Sequence, residues 1–190
     1  MIKHSSALFE NEGVLSIPTT HDNKYLFAAS EGGRLKQISL ESQRVVQDYG
    51  KIHIGAITCL ETTRDSKWLI TCCSDGHVKR ISVENRKVDK DLGQVYHYGI
   101  KAIKITADGK KLLVGDHDGH LKLISSRNRQ MIKDFGKIHY TQISSIMITT
   151  DQKFLFTSSG QGELKQWNYE DNTLVKDHGK ITTYINSLCL

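Results

Sequence analysis

Few groupings in this chain have the spacing that chemistry requires. His117-x-x-His120 is spaced like a pair of metal ligands, with Asp116 and Asp118 in the same stretch. A zinc-type site needs further ligands, however, and no Cys or third His stands nearby in sequence. The pair also straddles Asp118-Gly119, a turn signal, so these residues read as a turn and no metal is expected. There is no Gly-x-Ser-x-Gly elbow, no His-Glu-x-x-His stretch, and no Lys-Ser or Lys-Thr after Gly115 to Gly119 that would make it a phosphate loop. The acids that recur most regularly are Asp22, Asp65, Asp108 and Asp151, each inside a polar segment such as Thr63-Arg64-Asp65-Ser66-Lys67. A short carboxylate there accepts backbone N–H groups and closes a turn. Their role is structural, and neither catalysis nor a cofactor is expected.

Behind these residues lies a repeat. Asp48-Tyr49-Gly50, Asp91-Leu92-Gly93, Asp134-Phe135-Gly136 and Asp177-His178-Gly179 recur every 43 residues. Within the unit from Gly50 to Asp91, a first strand is marked by Ile57, Leu60 and Thr62, and the Asp65 turn follows. The apolar run Trp68 to Cys73 comes next, matched by Tyr25 to Ala29, Leu112 to Gly115 and Phe154 to Thr157. Consecutive apolar residues predict a strand buried on both faces. A two-residue hairpin is expected at Asp75-Gly76, with Gly32-Gly33, Asp118-Gly119 and Gln161-Gly162 as counterparts, because glycine supplies the positive φ. A third strand, Val78 to Val83, and a short fourth strand leading into the Asp-x-Gly corner complete a four-stranded antiparallel meander. Helical repeats would instead show apolar spacings of three and four.

The expected fold is therefore all-β: a β-propeller-type array of four blades plus a terminal partial repeat. The copies run over approximately residues 7–49, 50–92, 93–135 and 136–178, with a partial copy at 179–190. Tyr184 to Leu190 is expected to start another first strand, and Met1 to Lys3 is at most the remnant of a fourth. The chain is expected to be a piece of a larger propeller, a small closed ring, or part of a ring completed by a second copy. An open arc would expose apolar terminal faces and promote self-association.

The 190 residues are 38% hydrophobic and 25% charged with one proline, a globular composition. Twenty-six Lys and Arg against twenty-one Asp and Glu give a net charge of +5. That excess is spread over the repeats; Lys36, Lys79, Lys122 and Lys165 share one position and are expected to be solvated, guarding strands against edge pairing. Nucleic-acid binding is accordingly not favoured. Cys59, Cys72, Cys73 and Cys189 form no Cys-x-x-Cys pair, and adjacent Cys72 and Cys73 point to opposite faces of a strand. Reduced thiols, no apolar leader and no run of roughly 18 apolar residues lead to the expectation of a cytoplasmic, non-membrane protein.

The unit resembles the WD-repeat β-propeller family. The family's Asp-containing turn, apolar strand, Asp-Gly hairpin and strand ending in Trp-Asp are similar to Asp65, Trp68 to Cys73, Asp75-Gly76 and Ile81-Ser82. In the Trp-Asp column this chain has Ile38-Ser39, Ile81-Ser82, Ile124-Ser125 and Trp167-Asn168, so the aromatic is kept only by Trp167. The family's Gly-His corner corresponds to His53 and His139, with Tyr96 and Thr182 in the other copies. The resemblance implies a buried hydrogen-bonded chain of His, hairpin Asp, second-strand Ser or Thr, and Trp. No copy holds all four: the second has His53, Thr71 and Asp75 without Trp, and the fourth has His139, a Ser or Thr among Thr157 to Ser159, and Trp167 without the Asp.

The resemblance also implies a non-catalytic scaffold that binds other proteins or peptides. Variation between copies then indicates where. Directly after the hairpin Gly stand Arg34, His77, His120 and Glu163, and the corners before the first strands carry His53 and Ile54, then Tyr96, His97 and Tyr98, then His139 and Tyr140, and finally Thr182 to Tyr184. In a propeller these two loops share a face, and such amphipathic rings suit a protein interface. Asp22, Asp65, Asp108, Asp151, Asp75, Gly76, Asp118, Gly119 and Trp167 are expected to maintain the fold. Two alternatives stay open, a basic nucleic-acid-binding propeller and a propeller enzyme with a site in its channel.

Overall fold

The computed structural model describes residues 8–9 and 12–188. It contains sixteen strands in four antiparallel sheets and, among the described residues, no helix. Blade 1 comprises β1 (Val14–Ser16), β2 (Tyr25–Ser30), β3 (Arg34–Ser39) and β4 (Arg44–Lys51). Blade 2 comprises β5 (Ile57–Thr62), β6 (Trp68–Cys73), β7 (His77–Ser82) and β8 (Lys87–Gln94). Blade 3 comprises β9 (Ile100–Ile105), β10 (Lys111–Asp116), β11 (His120–Ser125) and β12 (Met131–Lys137). Blade 4 comprises β13 (Ile143–Ile148), β14 (Phe154–Ser159), β15 (Glu163–Asn168) and β16 (Leu174–Lys180). Each sheet is a meander in chain order, as the repeat predicts.

The second strands are buried on both faces because each separates two blades. Leu69 and Ile81 pack with Phe27, Leu35 and Ile57 toward blade 1, while Ile70, Cys72 and Val78 pack with Ile100, Leu112 and Val114 toward blade 3. A third cluster, with Leu113, Leu121, Ile143, Leu155 and Trp167, joins blades 3 and 4. Each fully buried aliphatic side chain contributes roughly 1.5–3 kcal/mol, so the interfaces between blades are the core. The innermost strands pack in the order β1, β5, β9, β13, and no comparable packing of β13 on β1 occurs among the described residues. The four blades form an open arc.

The polar turns fold as their residue types require. Thr63 Oγ1 donates to Asp65 Oδ1 at 2.5 Å and accepts the Trp68 N–H, while Asp65 Oδ1 accepts the Lys67 N–H. Thr20 with Asp22, Thr106 with Asp108, and Thr149 with Asp151 repeat the pattern. The hydroxyls of Thr20 and Thr149 hold Asp22 and Asp151 below the usual carboxylate range.

Several details differ from the sequence expectation. The hairpins have three-residue loops, such as Ser74 to Gly76 between β6 and β7, with Gly76 at φ +82°. A left-handed residue after a tight turn is the usual three-residue solution. The fourth strands are the longest of each blade rather than short, and Asp-x-Gly lies within them as a bulge. In blade 1 Leu35 pairs with Gly50 and Lys36 with Asp48, leaving Tyr49 as the extra residue, and Asp48 Oδ1 accepts the Gly50 N–H at 2.8 Å. Because β4 runs through to Lys51, the blades end a few residues later than the repeat boundaries.

The periodic lysines are not simply solvated. Lys36, Lys79 and Lys165 pair with Asp48, Asp91 and Asp177 at 3.1–3.3 Å, across interior third strands that have no edge to guard. Lys122 instead lies over the Tyr96 ring, 4.2 Å from its centroid. Residues 184–188 form no strand: a first strand takes its ladder from the second strand of its own blade, and none follows among the described residues. Ile185 is nonetheless buried, and the Leu188 N–H donates to Ser145 Oγ. The fourth-strand remnant expected at Met1 to Lys3 lies outside the described residues.

Candidate interaction surface

The loops that enter each first strand and the hairpins joining second to third strands meet at one face, braced from below by hydrogen bonds. Blade 4 shows the brace most fully. Trp167 Nε1 donates to Thr157 Oγ1 at 3.0 Å, Thr157 Oγ1 lies 2.9 Å from His139 Nε2, and His139 Nδ1 lies 3.1 Å from Glu163 Oε2. Indole N–H can only donate and an ionised carboxylate can only accept. The Thr157 hydroxyl therefore donates to Nε2, and Nδ1 carries the imidazole proton and donates to Glu163. Burial pushes the His139 pKa down, partly opposed by Glu163. The acid expected to be missing from this copy is supplied by Glu163, directly after the hairpin glycine.

Blade 2 retains part of that brace. His53 Nε2 lies 2.8 Å from Thr71 Oγ1, and Ile81 fills the Trp column fully buried but without a donor. Burial, and then the charge of Lys79, lower the His53 pKa to about 4. In blade 3 Tyr96 replaces the histidine, donating its hydroxyl to the Val114 carbonyl at 3.2 Å.

Several sequence assignments change accordingly. His53, Tyr96 and His139 are buried, so they support the loops and are not themselves contact residues. Glu163 is held by His139. Asp118 does not brace its hairpin; buried Asp116 does so, accepting the N–H groups of Asp118 and His120. Asp75 accepts the His77 N–H and the Cys73 thiol, as a structural acid should. Gly76 and Gly119 have the positive φ expected of them. His117 and His120 do not converge, since each faces its own carboxylate: Asp118 at 3.6 Å and Asp116 at 3.3 Å.

What remains at the surface is a smaller set. Tyr98 is 63% exposed and Tyr140 83%, and Ile54, beside His53 in the loop entering blade 2, is 86% exposed. Arg34 and His120 have half-exposed side chains, with Arg34 paired to Glu12 at 3.2 Å; His77 is partly buried. Ile54 was legible only as one apolar residue in a loop, a weak signal by itself. Beside each exposed group runs a groove, between Tyr140 and Lys165 in blade 4, Tyr98 and Lys122 in blade 3, and Ile54 and Lys79 in blade 2.

An arc of four-stranded meanders with internally braced loops defines a β-propeller array. Residues 48–80, from the end of blade 1 through most of β7, match the family model described as WD domain, G-beta repeat. The chain thus carries a WD repeat by sequence in its second copy, and its described residues have the β-propeller fold throughout. No curated protein matches it. A chain in the crystal structure of the mitotic checkpoint complex is similar, with a TM-score of 0.84 at 18% identity over 94% of this chain and 54% of that one. Hydrazine synthase from Kuenenia stuttgartiensis is similar with a TM-score of 0.77 at 16% identity, covering 93% of this chain and 52% of that one. The chain spans about half the length of these solved chains.

Proposed function

We infer that the protein is a non-catalytic scaffold that binds another protein or peptide across its loop-bearing face. The observation that carries this reading is the exposure of Ile54, Tyr98 and Tyr140 in the loops entering three successive blades, each beside a groove with charged side chains in its lining. Apolar and aromatic anchors rimmed by charge are the composition of protein interfaces. The loops are held from below by His53, Tyr96 and His139, so little order is lost when a partner settles on them. Beneath this face His139 is held by Glu163, His53 by the Thr71 hydroxyl, and Asp75 and Asp116 accept backbone N–H groups, which favours a binding surface over a reactive one.

The test is a quantitative pull-down from a cell extract with wild-type protein and the Ile54→Ala, Tyr98→Ala, Tyr140→Ala triple variant. Proteins retained by the wild type should fall at least tenfold with the variant while its circular dichroism stays the same. Equal retention would place the interface elsewhere. The same reading includes contact between copies of the chain, through the two blade faces that no neighbouring blade covers among the described residues.

A further inference from the structure

Blades 2 and 4 occupy the same columns of the repeat yet gather different donor atoms. Where blade 4 has Ser159, Gln161 and Glu163, blade 2 has Cys73, Asp75 and His77. His139 Nδ1 is held by Glu163, whereas His53 uses Nε2 toward Thr71, and its Nδ1 has no hydrogen-bond partner among the described residues. In place of that glutamate, His53, Cys73 and Asp75 each offer one ligand atom, all within 4.8 Å of one another. His53 and Cys73 are buried, and the Cys73 thiol donates to the Asp75 carboxylate.

We propose that blade 2 is a binding site for a zinc-class divalent cation, ligated by His53 Nδ1, Cys73 Sγ and the Asp75 carboxylate. Imidazole nitrogen, thiolate sulfur and carboxylate oxygen are the donor types zinc takes, at about 2.0–2.3 Å. Those lengths put tetrahedral ligand atoms about 3.5 Å apart; all three atoms already lie within 4.8 Å of one another, and side-chain rotation of Cys73 and Asp75, now in hydrogen-bond contact, separates thiol and carboxylate to admit the ion. Thr71 Oγ1 on the far nitrogen fixes the imidazole, as outer hydrogen bonds do at zinc sites. The fourth position opens into the groove lined by His53, Asp75 and His77, which admits water or the His77 ring.

The ion takes the place of one proton. Burial and then Asp75 keep the Cys73 thiol protonated, with a pKa of about 12. Binding converts thiol to metal-bound thiolate and releases that proton to solvent, while Asp75 exchanges the thiol hydrogen bond for the cation. Thiolate and carboxylate together balance the double positive charge. Lys79, which lines the same groove, is paired with Asp91 at 3.3 Å.

Cobalt(II) reports on such a site because bound thiolate gives it a charge-transfer absorption. Titrating the reduced full chain with Co2+ should produce that band with saturation at one equivalent, and one equivalent of Zn2+ should abolish it. Cys73→Ser should remove the band and weaken Zn2+ at least tenfold in competition with a chelating dye. Serine occupies this column in blades 1 and 4, so the variant is expected to fold, as circular dichroism would check. Cys59→Ser, which leaves all three ligands in place, should keep band and affinity. Absence of a saturable thiolate band in the wild type, or equal Zn2+ affinity in Cys73→Ser, would overturn the assignment.

Discussion

The Thr157 hydroxyl accepts from Trp167 and donates to His139, so one side chain satisfies two buried rings. In blade 2 Thr71 serves only His53, because Ile81 stands in the tryptophan's place. Leaving a buried polar group without its partner costs more than the bond itself contributes. Thr157→Val keeps the shape, orphans two groups and should cost about 2–4 kcal/mol, whereas Thr71→Val orphans one and should cost about 1–3 kcal/mol. Urea unfolding midpoints of the two variants should fall in that order. Equal losses would mean that the indole N–H contributes nothing to blade 4. Glu163 could not be assigned to this network from sequence, because its carboxylate follows the hairpin glycine while the family pattern places the acid before it. Its long side chain closes the difference.

At the scale of the strand and its turns, backbone conformation dictates residue type most directly, and this layer was the most legible. Gly76 and Gly136 both have positive φ, at +82° and +68°, yet their surroundings differ. A Cβ on Gly136 would meet nothing within 4 Å, whereas on Gly76 it would strike the Tyr96 carbonyl oxygen and stand 3.0 Å from that of Tyr98. Gly136→Ala should therefore cost about 1 kcal/mol, the strain of a left-handed alanine. Gly76→Ala should cost several times as much, since the hairpin must move off the loop that carries Tyr98. Comparable unfolding midpoints for the two variants would contradict the close packing of hairpin on loop. The same periodicity that revealed the hairpins concealed what the loops do. Tyr96 and Tyr98 looked alike in sequence, but the first is buried under Lys122 and the second points to solvent. Side-chain direction at a corner depends on the neighbouring strand, which spacing alone does not describe. For the same reason the fourth strands looked short: Asp-x-Gly reads as a corner until the partner strand shows it to be a bulge.

For the molecule as a whole, equivalent positions report whether a face is covered. Leu69 and Ile81 of blade 2 are fully buried against blade 1, but their counterparts Leu26 and Ile38 in blade 1 are only partly buried. At the other end Phe156 and Leu164 of blade 4 are partly buried, where Ile70 and Val78 in the same columns of blade 2 are covered by blade 3. Val14 and Leu15 in β1 and Ile17 just after it add to the exposed apolar surface. Both flanks of the arc thus present the kind of face that joins one blade to the next inside it. Contact between unlike ends is heterologous, and such contacts close into rings or extend into open chains. The chain in dilute buffer should therefore run above monomer mass in size-exclusion chromatography with light scattering, increasingly so with concentration. Ile38→Lys combined with Leu164→Lys places a charge on each flank without entering a covered interface, and should return the protein to monomer with its circular dichroism intact. A wild-type chain that stays monomeric and monodisperse as concentration rises would show that these flanks do not associate with each other.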